Sequence, residues 1–273
     1  IMGNNIPRLK EVKDYLGKCF FMKDLGEASY ILGIKIYRDR SRRLIGLSQS
    51  ACIDKILKKY NMYNSKKGYL PMEVKHDLSN ELCASTLEEV AYMKKVPYAL
   101  AVGSIMYVVR CIRLNVAFAQ NIVSRYQQNP GKLHWIIVKH ILKYLRNTRD
   151  TFLVYGVKPD IELDVTSFCD ESWQCDKDDT KSQTGYVFIV NGRAIDWKSK
   201  KQTTIAMHSA YHYVQEQVET GEIKLIKVHT DDNIADPFTK PLPRGMVIDH
   251  AKGIGLQLAS SFMRTCDYYL DKG

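Results

Sequence analysis

The stretch Asn129-Pro130-Gly131-Lys132-Leu133-His134-Trp135-Ile136-Ile137-Val138-Lys139-His140-Ile141-Leu142-Lys143-Tyr144-Leu145-Arg146-Asn147-Thr148-Arg149-Asp150-Thr151-Phe152-Leu153-Val154-Tyr155 contains a break, a helix and the start of a strand. Asn129-Pro130-Gly131 stops whatever precedes it. From Leu133 to Arg146 the pattern is helical. At about 100° per residue, Val138, Ile141, Leu142 and Leu145 share one face, while Lys132, Lys139, Lys143 and Arg146 share another. One face can pack and the other can meet anions. After Asp150 the composition turns β-branched and aromatic, so Thr151 to Tyr155 reads as a strand. A boundary near residue 151 therefore separates a helical module from a mixed α/β one.

Immediately upstream, Tyr98 to Val109 and Leu114 to Gln127 read as two further helices, which makes 96–150 a three-helix module. Its charge is one-sided. No acid occurs between Glu89 and Asp150, yet Lys94, Lys95, Arg110, Arg113, Arg125, Lys132, Lys139, Lys143, Arg146 and Arg149 do. Those cations account for the whole formal charge of +10, and the rest of the chain balances. A neutral protein carrying one cationic module suits a polyanion held through its phosphates. Arg125, Lys132, Lys139, Lys143, Arg146 and Arg149 are the candidate contacts. The plainer alternative is a solvated basic surface.

Further out, residues 1–70 read as helix, hairpin and helix. Pro7 to Phe20 starts with Pro in its first turn and sets Leu9, Val12, Tyr15 and Leu16 on one face. Tyr30 to Tyr37 and Leu44 to Leu47 flank charged Arg38 to Arg43, the pattern of a hairpin. Ala51 to Tyr60 buries Ile53, Ile56 and Leu57, with Ser48 or Ser50 as its cap. Periodicity is weak from Asn61 to Met93, so 71–95 is expected as a surface connection. Beyond 151, Ile161 to Cys169, Gly185 to Val190, Arg193 to Lys198 and Ile223 to Val228 read as strands. Ala210 to Glu219 reads as a helix, and Asp231 to Lys240 as a helix start. The mixed module runs over 151–244, and residues 245–273 carry no assignable pattern.

At 273 residues, 45% hydrophobic and 26% charged, the chain has the composition of a soluble globular protein. No apolar run is long enough to span a bilayer, which needs about 18 residues or more. Ile1 to Lys10 lacks a basic start and an apolar core, so secretion is not expected and an intracellular address is, cytoplasmic or nuclear. The opening Ile suggests a fragment. The seven cysteines are scattered and never spaced Cys-x-x-Cys, which argues against a disulfide framework or a zinc site.

Several strings, in one order, resemble the Ty1/copia-type retrotransposon Pol polyprotein. Phe21-Met22-Lys23-Asp24-Leu25-Gly26-Glu27-Ala28 and Tyr30-Ile31-Leu32-Gly33-Ile34 resemble the segment after the polymerase active site. Val96-Pro97-Tyr98, Val102-Gly103-Ser104-Ile105-Met106-Tyr107, Asn129-Pro130-Gly131-Lys132-Leu133-His134-Trp135 and Ile141-Leu142-Lys143-Tyr144-Leu145-Arg146 resemble its thumb-region helices. Thr184-Gly185-Tyr186-Val187-Phe188, Trp197-Lys198-Ser199-Lys200-Lys201-Gln202 and Ala235-Asp236-Pro237-Phe238-Thr239-Lys240-Pro241-Leu242 resemble its RNase H region. The resemblance implies an α+β chain: part of a reverse-transcriptase palm and thumb with a helical bundle, then a truncated RNase H-like mixed sheet.

The resemblance also implies what chemistry is at stake. The family's Tyr-x-Asp-Asp polymerase turn lies just upstream of the string resembling Met2-Gly3-Asn4-Asn5. Asp14, Asp24, Asp39 and Asp54 read as solvated or turn residues. An RNase H fold clamps two Mg²⁺ ions with carboxylates, one ion activating water and the other stabilising the leaving oxygen. The first such carboxylate matches Asp170, in Cys169-Asp170-Glu171-Ser172-Trp173, and the last matches Asp236. The other two have no match, because Ile205-Ala206-Met207-His208-Ser209 passes directly to Tyr211-His212-Tyr213-Val214-Gln215-Glu216, as if a helix and a strand had been deleted between them. Glu171 should face away from Asp170, whereas Asp196 could approach it. The expectation is a catalytically inactive fragment that binds no Mg²⁺ and keeps non-sequence-specific affinity for a duplex or an RNA–DNA hybrid. The alternative is a divergent Mg²⁺-dependent RNase H that cleaves RNA in such hybrids.

Overall fold

A computed structural model describes residues 5–24, 26–74, 78–156, 164–203 and 226–263. The expectations for Ala210 to Glu219, most of Ile223 to Val228, the junction at Ser209 and the last residues of 245–273 lie outside the described residues.

The chain is α+β, with two antiparallel sheets and a helical layer. Helix α1 spans Ile6–Cys19, and Asn5 caps it by accepting the Arg8 N–H at 3.1 Å. None of its residues is buried: Val12 and Tyr15 are exposed and Leu9 and Leu16 half-buried, so the apolar side that the sequence displays is only partly covered. The strand expected over Tyr30 to Tyr37 divides into β1 (Tyr30–Ile31) and β2 (Ile34–Asp39). Leu32 and Gly33 between them both have positive φ, 50° and 77°, as a tight two-residue hairpin turn requires. The expected hairpin then pairs β2 with β3 (Leu44–Ser48), and Asp39 ties the turn by accepting from the Ser41 hydroxyl at 2.6 Å. In α2 (Ser50–Lys59) Ile53, Ile56 and Leu57 are buried as expected, and the Ser48 hydroxyl accepts the Ser50 N–H at 3.2 Å.

The 71–95 connection holds a helix the sequence reading missed. Helix α3 (Leu87–Met93) starts at a capping box: Thr86 accepts from Glu89 N–H, and the Glu89 carboxylate reaches back to the Thr86 N–H. The Thr-x-x-Glu spacing that announces it was legible. The three expected helices form as α4 (Tyr98–Cys111), α5 (Ala117–Ser124, preceded by a 3₁₀ turn at Leu114–Val116) and α6 (Lys132–Asn147). Val138, Ile141, Leu142 and Leu145 are each 0% exposed, which makes the apolar face of α6 the centre of the core. Burying each such side chain contributes roughly 1.5–3 kcal/mol.

The expected strand after Asp150 forms as β4 (Thr151–Gly156), but its partner lies on the other side of the expected boundary. It pairs with β3, from Leu44 opposite Gly156 to Ser48 opposite Phe152. The first sheet has the order β1-β2-β3-β4-β8, and its last strand is β8 (Leu256–Leu258), paired with Thr151 to Leu153. The segment from residue 245, which carried no sequence signal, therefore completes the sheet begun near residue 30. Helix α7 (Arg244–Gly253) leads into β8, and Phe262 beyond it packs on Phe152 and Tyr37.

The second sheet is a meander of β5 (Val165–Ser172), β6 (Gln183–Val190) and β7 (Arg193–Lys201). Asp170, Gly185 and Ser199 sit side by side across it. Along β6 alternate residues from Gln183 to Ile189 are buried against the helices and the 236–239 turn, and the opposite face is open, with Phe188 41% exposed.

Candidate acidic site and nucleic-acid interface

The structure brings Asp170 and Asp236 together. Asp170 stands on the inner face of β5. A Cβ added at its neighbour Gly185 would lie 2.4 Å from the Phe238 Cβ, so the 236–239 turn is seated directly on that face. The absence of a side chain at residue 185 is what permits this approach. Ser199 fastens the turn from β7 by donating to the Phe238 carbonyl at 2.5 Å. Thr239 donates its hydroxyl to Asp170 Oδ2.

Asp236 opens a 3₁₀ turn (Asp236–Phe238) and is 1% exposed. Burial pushes its carboxyl above the ordinary aspartate range; the Lys240 ammonium pulls it back, and the nearby charge of Asp170 pushes it up again. Lys240 Nζ lies 2.7 Å from Asp236 Oδ2, while Oδ1 has no donor among the described residues. His250 on α7 is also buried beside Asp236; burial lowers its pKa and the Asp236 carboxylate opposes that.

Among the described residues, this arrangement brings two carboxylates together and no third His, Cys, Asp or Glu ligand. A two-metal site needs several carboxylates converging on two hard cations. Here one acid oxygen faces an ammonium, one oxygen of the other acid takes a threonine hydroxyl, and no group of three or more His, Cys, Asp or Glu is placed to hold a metal ion among the described residues. Asp196, expected as a possible substitute, lies opposite Phe188 on the open face of the sheet, so it cannot approach Asp170. Glu171 faces away as expected and accepts from Gln202 Nε2 at 2.9 Å. Glu216 and Glu219 lie outside the described residues.

The cations of 96–150 divide into two groups. Several are used internally. Arg113 is 1% exposed and donates to the Thr148 carbonyl at 2.6 Å, closing the end of α6. Arg125 pairs with buried Asp176 and donates to Gln183 Oε1 at 2.5 Å, which ties α5 to the turn before β6. Arg146 donates to the Tyr63 carbonyl at 2.5 Å, and Arg149 lies 3.3 Å from Asp54. The acids missing from the 90–149 sequence are supplied to Arg125 and Arg149 by distant parts of the chain, Asp176 and Asp54. Lys132 is exposed, with its ammonium 5.7 Å from the Tyr92 ring centre, and Lys139 and Lys143 are half-buried on the same helix. Lys132 acts on the Glu89 carboxylate through its charge, whereas Lys139 and Lys143 form no ion pair among the described residues.

The family described as reverse transcriptase (RNA-dependent DNA polymerase) matches residues 1–74. The chain is 34% identical over 303 positions, 89% of its residues, to the retrovirus-related Pol polyprotein from transposon TNT 1-94 of Nicotiana tabacum. It is 26% and 24% identical over 94% of its residues to the Pol polyproteins from transposons RE1 and RE2 of Arabidopsis thaliana. The chain belongs to the copia-type retrotransposon Pol polyproteins.

It spans 23% of the tobacco relative's length and 21% of the two from Arabidopsis. The alignments run over 303 and 318 positions, more than the 273 residues of this chain, so these relatives carry residues without a counterpart here. No solved structure matches. No helix among the described residues is long and apolar enough to cross a membrane.

Proposed function

We propose that this chain is a catalytically silent reverse transcriptase/RNase H portion of a copia-type Pol polyprotein that holds nucleic acid through its phosphates. The observation that carries the reading is the ion pair at the acidic site. Lys240 brings a fixed positive charge to 2.7 Å from Asp236 Oδ2, close to where an RNase H-like centre would seat a metal ion. A Mg²⁺ ion entering there would have to displace the lysine, and it would find two carboxylates where the family uses four. The extra alignment positions in the relatives support the internal deletion that would remove the other two.

Binding rests on Lys132, Lys139 and Lys143, the cations of α6 that form no close ion pair among the described residues. Contacts of this kind neutralise phosphates and release counterions, and they are blind to base sequence. Filter binding of a DNA duplex and an RNA–DNA hybrid at several salt concentrations tests this. Log affinity should fall linearly with log salt, with a slope near −0.9 for each phosphate neutralised on duplex DNA. A flat salt dependence refutes it.

A further inference from the structure

Along the open edge of β7 lies a groove of ≈ 690 Å³ between the second sheet and helices α4 and α5. Arg110, Gln120 and Gln127 form its helical wall, and Tyr186, Lys198 and Lys200 form its sheet wall. Strand alternation turns Trp197 toward α4, where its Nε1 donates to the Val109 carbonyl at 3.1 Å, and leaves the lysines of β7 at the rim. Lys198 and Lys200 are two residues apart and share the open face, where they stand opposite Tyr186 and Thr184 of β6. The Tyr186 ring meets the Phe188 ring edge-on at 5.7 Å. Arg110, Lys198 and Lys200 are exposed, with no acidic partner among the described residues. Asp196 is the one acid in the lining, and its carboxylate accepts from the Tyr186 hydroxyl at 3.5 Å.

Three cations, two aromatic rings on an open strand face and two side-chain amides suit one ligand chemistry. Phosphates can track the cations, bases can stack on the rings, and amides can meet base edges without demanding one sequence. A duplex hides its base faces inside its own stack and can use only the cations. We propose that the groove beside β7 and the adjoining Tyr186–Phe188 face form a second site, for single-stranded nucleic acid, separate from the α6 lysines. It rests on the nucleic-acid reading above for its ligand class, and assigns to a different surface the part of binding that distinguishes strands from duplexes.

The test is fluorescence anisotropy of the full chain with a short oligothymidylate and with a DNA duplex of the same length. The variants are Lys198→Gln with Lys200→Gln, Tyr186→Leu, and Lys139→Gln with Lys143→Gln. The double change on β7 touches exposed side chains only, so it remains informative if Tyr186→Leu disturbs the sheet. Tyr186→Leu should weaken oligothymidylate binding by about tenfold, the usual weight of one stacked base, and leave duplex binding unchanged, and the lysine pair should weaken oligothymidylate binding more than duplex binding. The α6 variant should do the reverse. The second site is overturned if the groove variants leave oligothymidylate affinity unchanged, if they weaken both ligands equally, or if the duplex binds and the oligothymidylate does not. Binding of neither ligand by the parent chain would instead remove the nucleic-acid reading itself.

Discussion

Lys240 Nζ stands 2.7 Å from Oδ2 of Asp236, a residue only 1% exposed, and this pair is the electrostatic centre of the acidic site. Removing the lysine leaves a buried carboxylate without its counter-charge. Breaking a fully buried pair from one side costs about 3–5 kcal/mol. Because the Lys240 side chain is 37% exposed, water screens part of that, and Lys240→Met should cost about 2 kcal/mol. Urea denaturation checks it. The loss should shrink in acid, where Asp236 is protonated; an undiminished loss in acid would show that the lysine acts through packing instead.

Arg125 belongs to the interior. Its pairing with Asp176, whose side chain is 3% exposed, and with Gln183 joins α5 to the second sheet. Arg125→Gln should lower stability by about 2–4 kcal/mol, with Lys201, 2.8 Å from Asp176, preventing a larger loss. Duplex affinity of the folded variant should be unchanged. A selective loss of affinity at unchanged stability would return Arg125 to the binding surface.

The α6 lysines should act as independent phosphate contacts. Changing Lys139 and Lys143 to Gln together should reduce the salt slope of duplex binding by about 2, at roughly 0.9 per phosphate. Filter binding at several salt concentrations measures the slope, and an unaltered slope excludes these two residues.

His134 makes stability depend on pH in a defined direction. Its Nδ1 accepts the Gly131 N–H at 2.8 Å at the start of α6, and its ring stacks on Tyr126 at 4.1 Å between centres. Burial holds its pKa below the ordinary value, against opposing effects from a Ser79 backbone hydrogen bond and the Asp178 charge. The folded state therefore favours the neutral ring. Its contribution is present above the unfolded pKa, about 6.5, and is lost as pH falls through the lowered folded value. NMR titration should show His134 protonating below that value, and the urea midpoint should fall over the same range. A His134 pKa above the ordinary value would contradict the assigned cap.

Gly185 tests the seating of the 236–239 turn. An added Cβ would lie 2.4 Å from the Phe238 Cβ, against a turn held by Ser199, so the collision has no flexible side-chain end to absorb it. Gly185→Ala should cost about 1–3 kcal/mol through overpacking, read as a drop in melting temperature. A neutral substitution would place the turn away from β6.

The elements that were legible in the sequence are those whose stabilising residues are local. The faces of α6 and α2 repeat at helical spacing, the β2–β3 hairpin carries its own turn, and Asn129-Pro130-Gly131 marks a break that the chain obeys. Tertiary pairing was not legible. Thr151 to Tyr155 reads as a strand from its β-branched residues, but nothing local says that Leu153 will face Leu47 or that Leu256 will close the other side. The charge pattern misled for the same reason. The acids opposite Arg125 and Arg149 are Asp176 and Asp54, far away in sequence. At the acidic site the family motifs located Asp170 and Asp236; that Lys240 faces Asp236 follows from one turn of chain geometry that the motif does not reveal.

Cleavage of the RNA strand in an RNA–DNA hybrid, assayed with the chain in excess and with Mg²⁺ or Mn²⁺ present, is the most direct measurement. A chain whose Asp236 is paired with Lys240 retains the hybrid and yields no product in either metal. Product that forms with the native chain and disappears with Asp170→Asn would mean that the two acids seat catalytic metal after all.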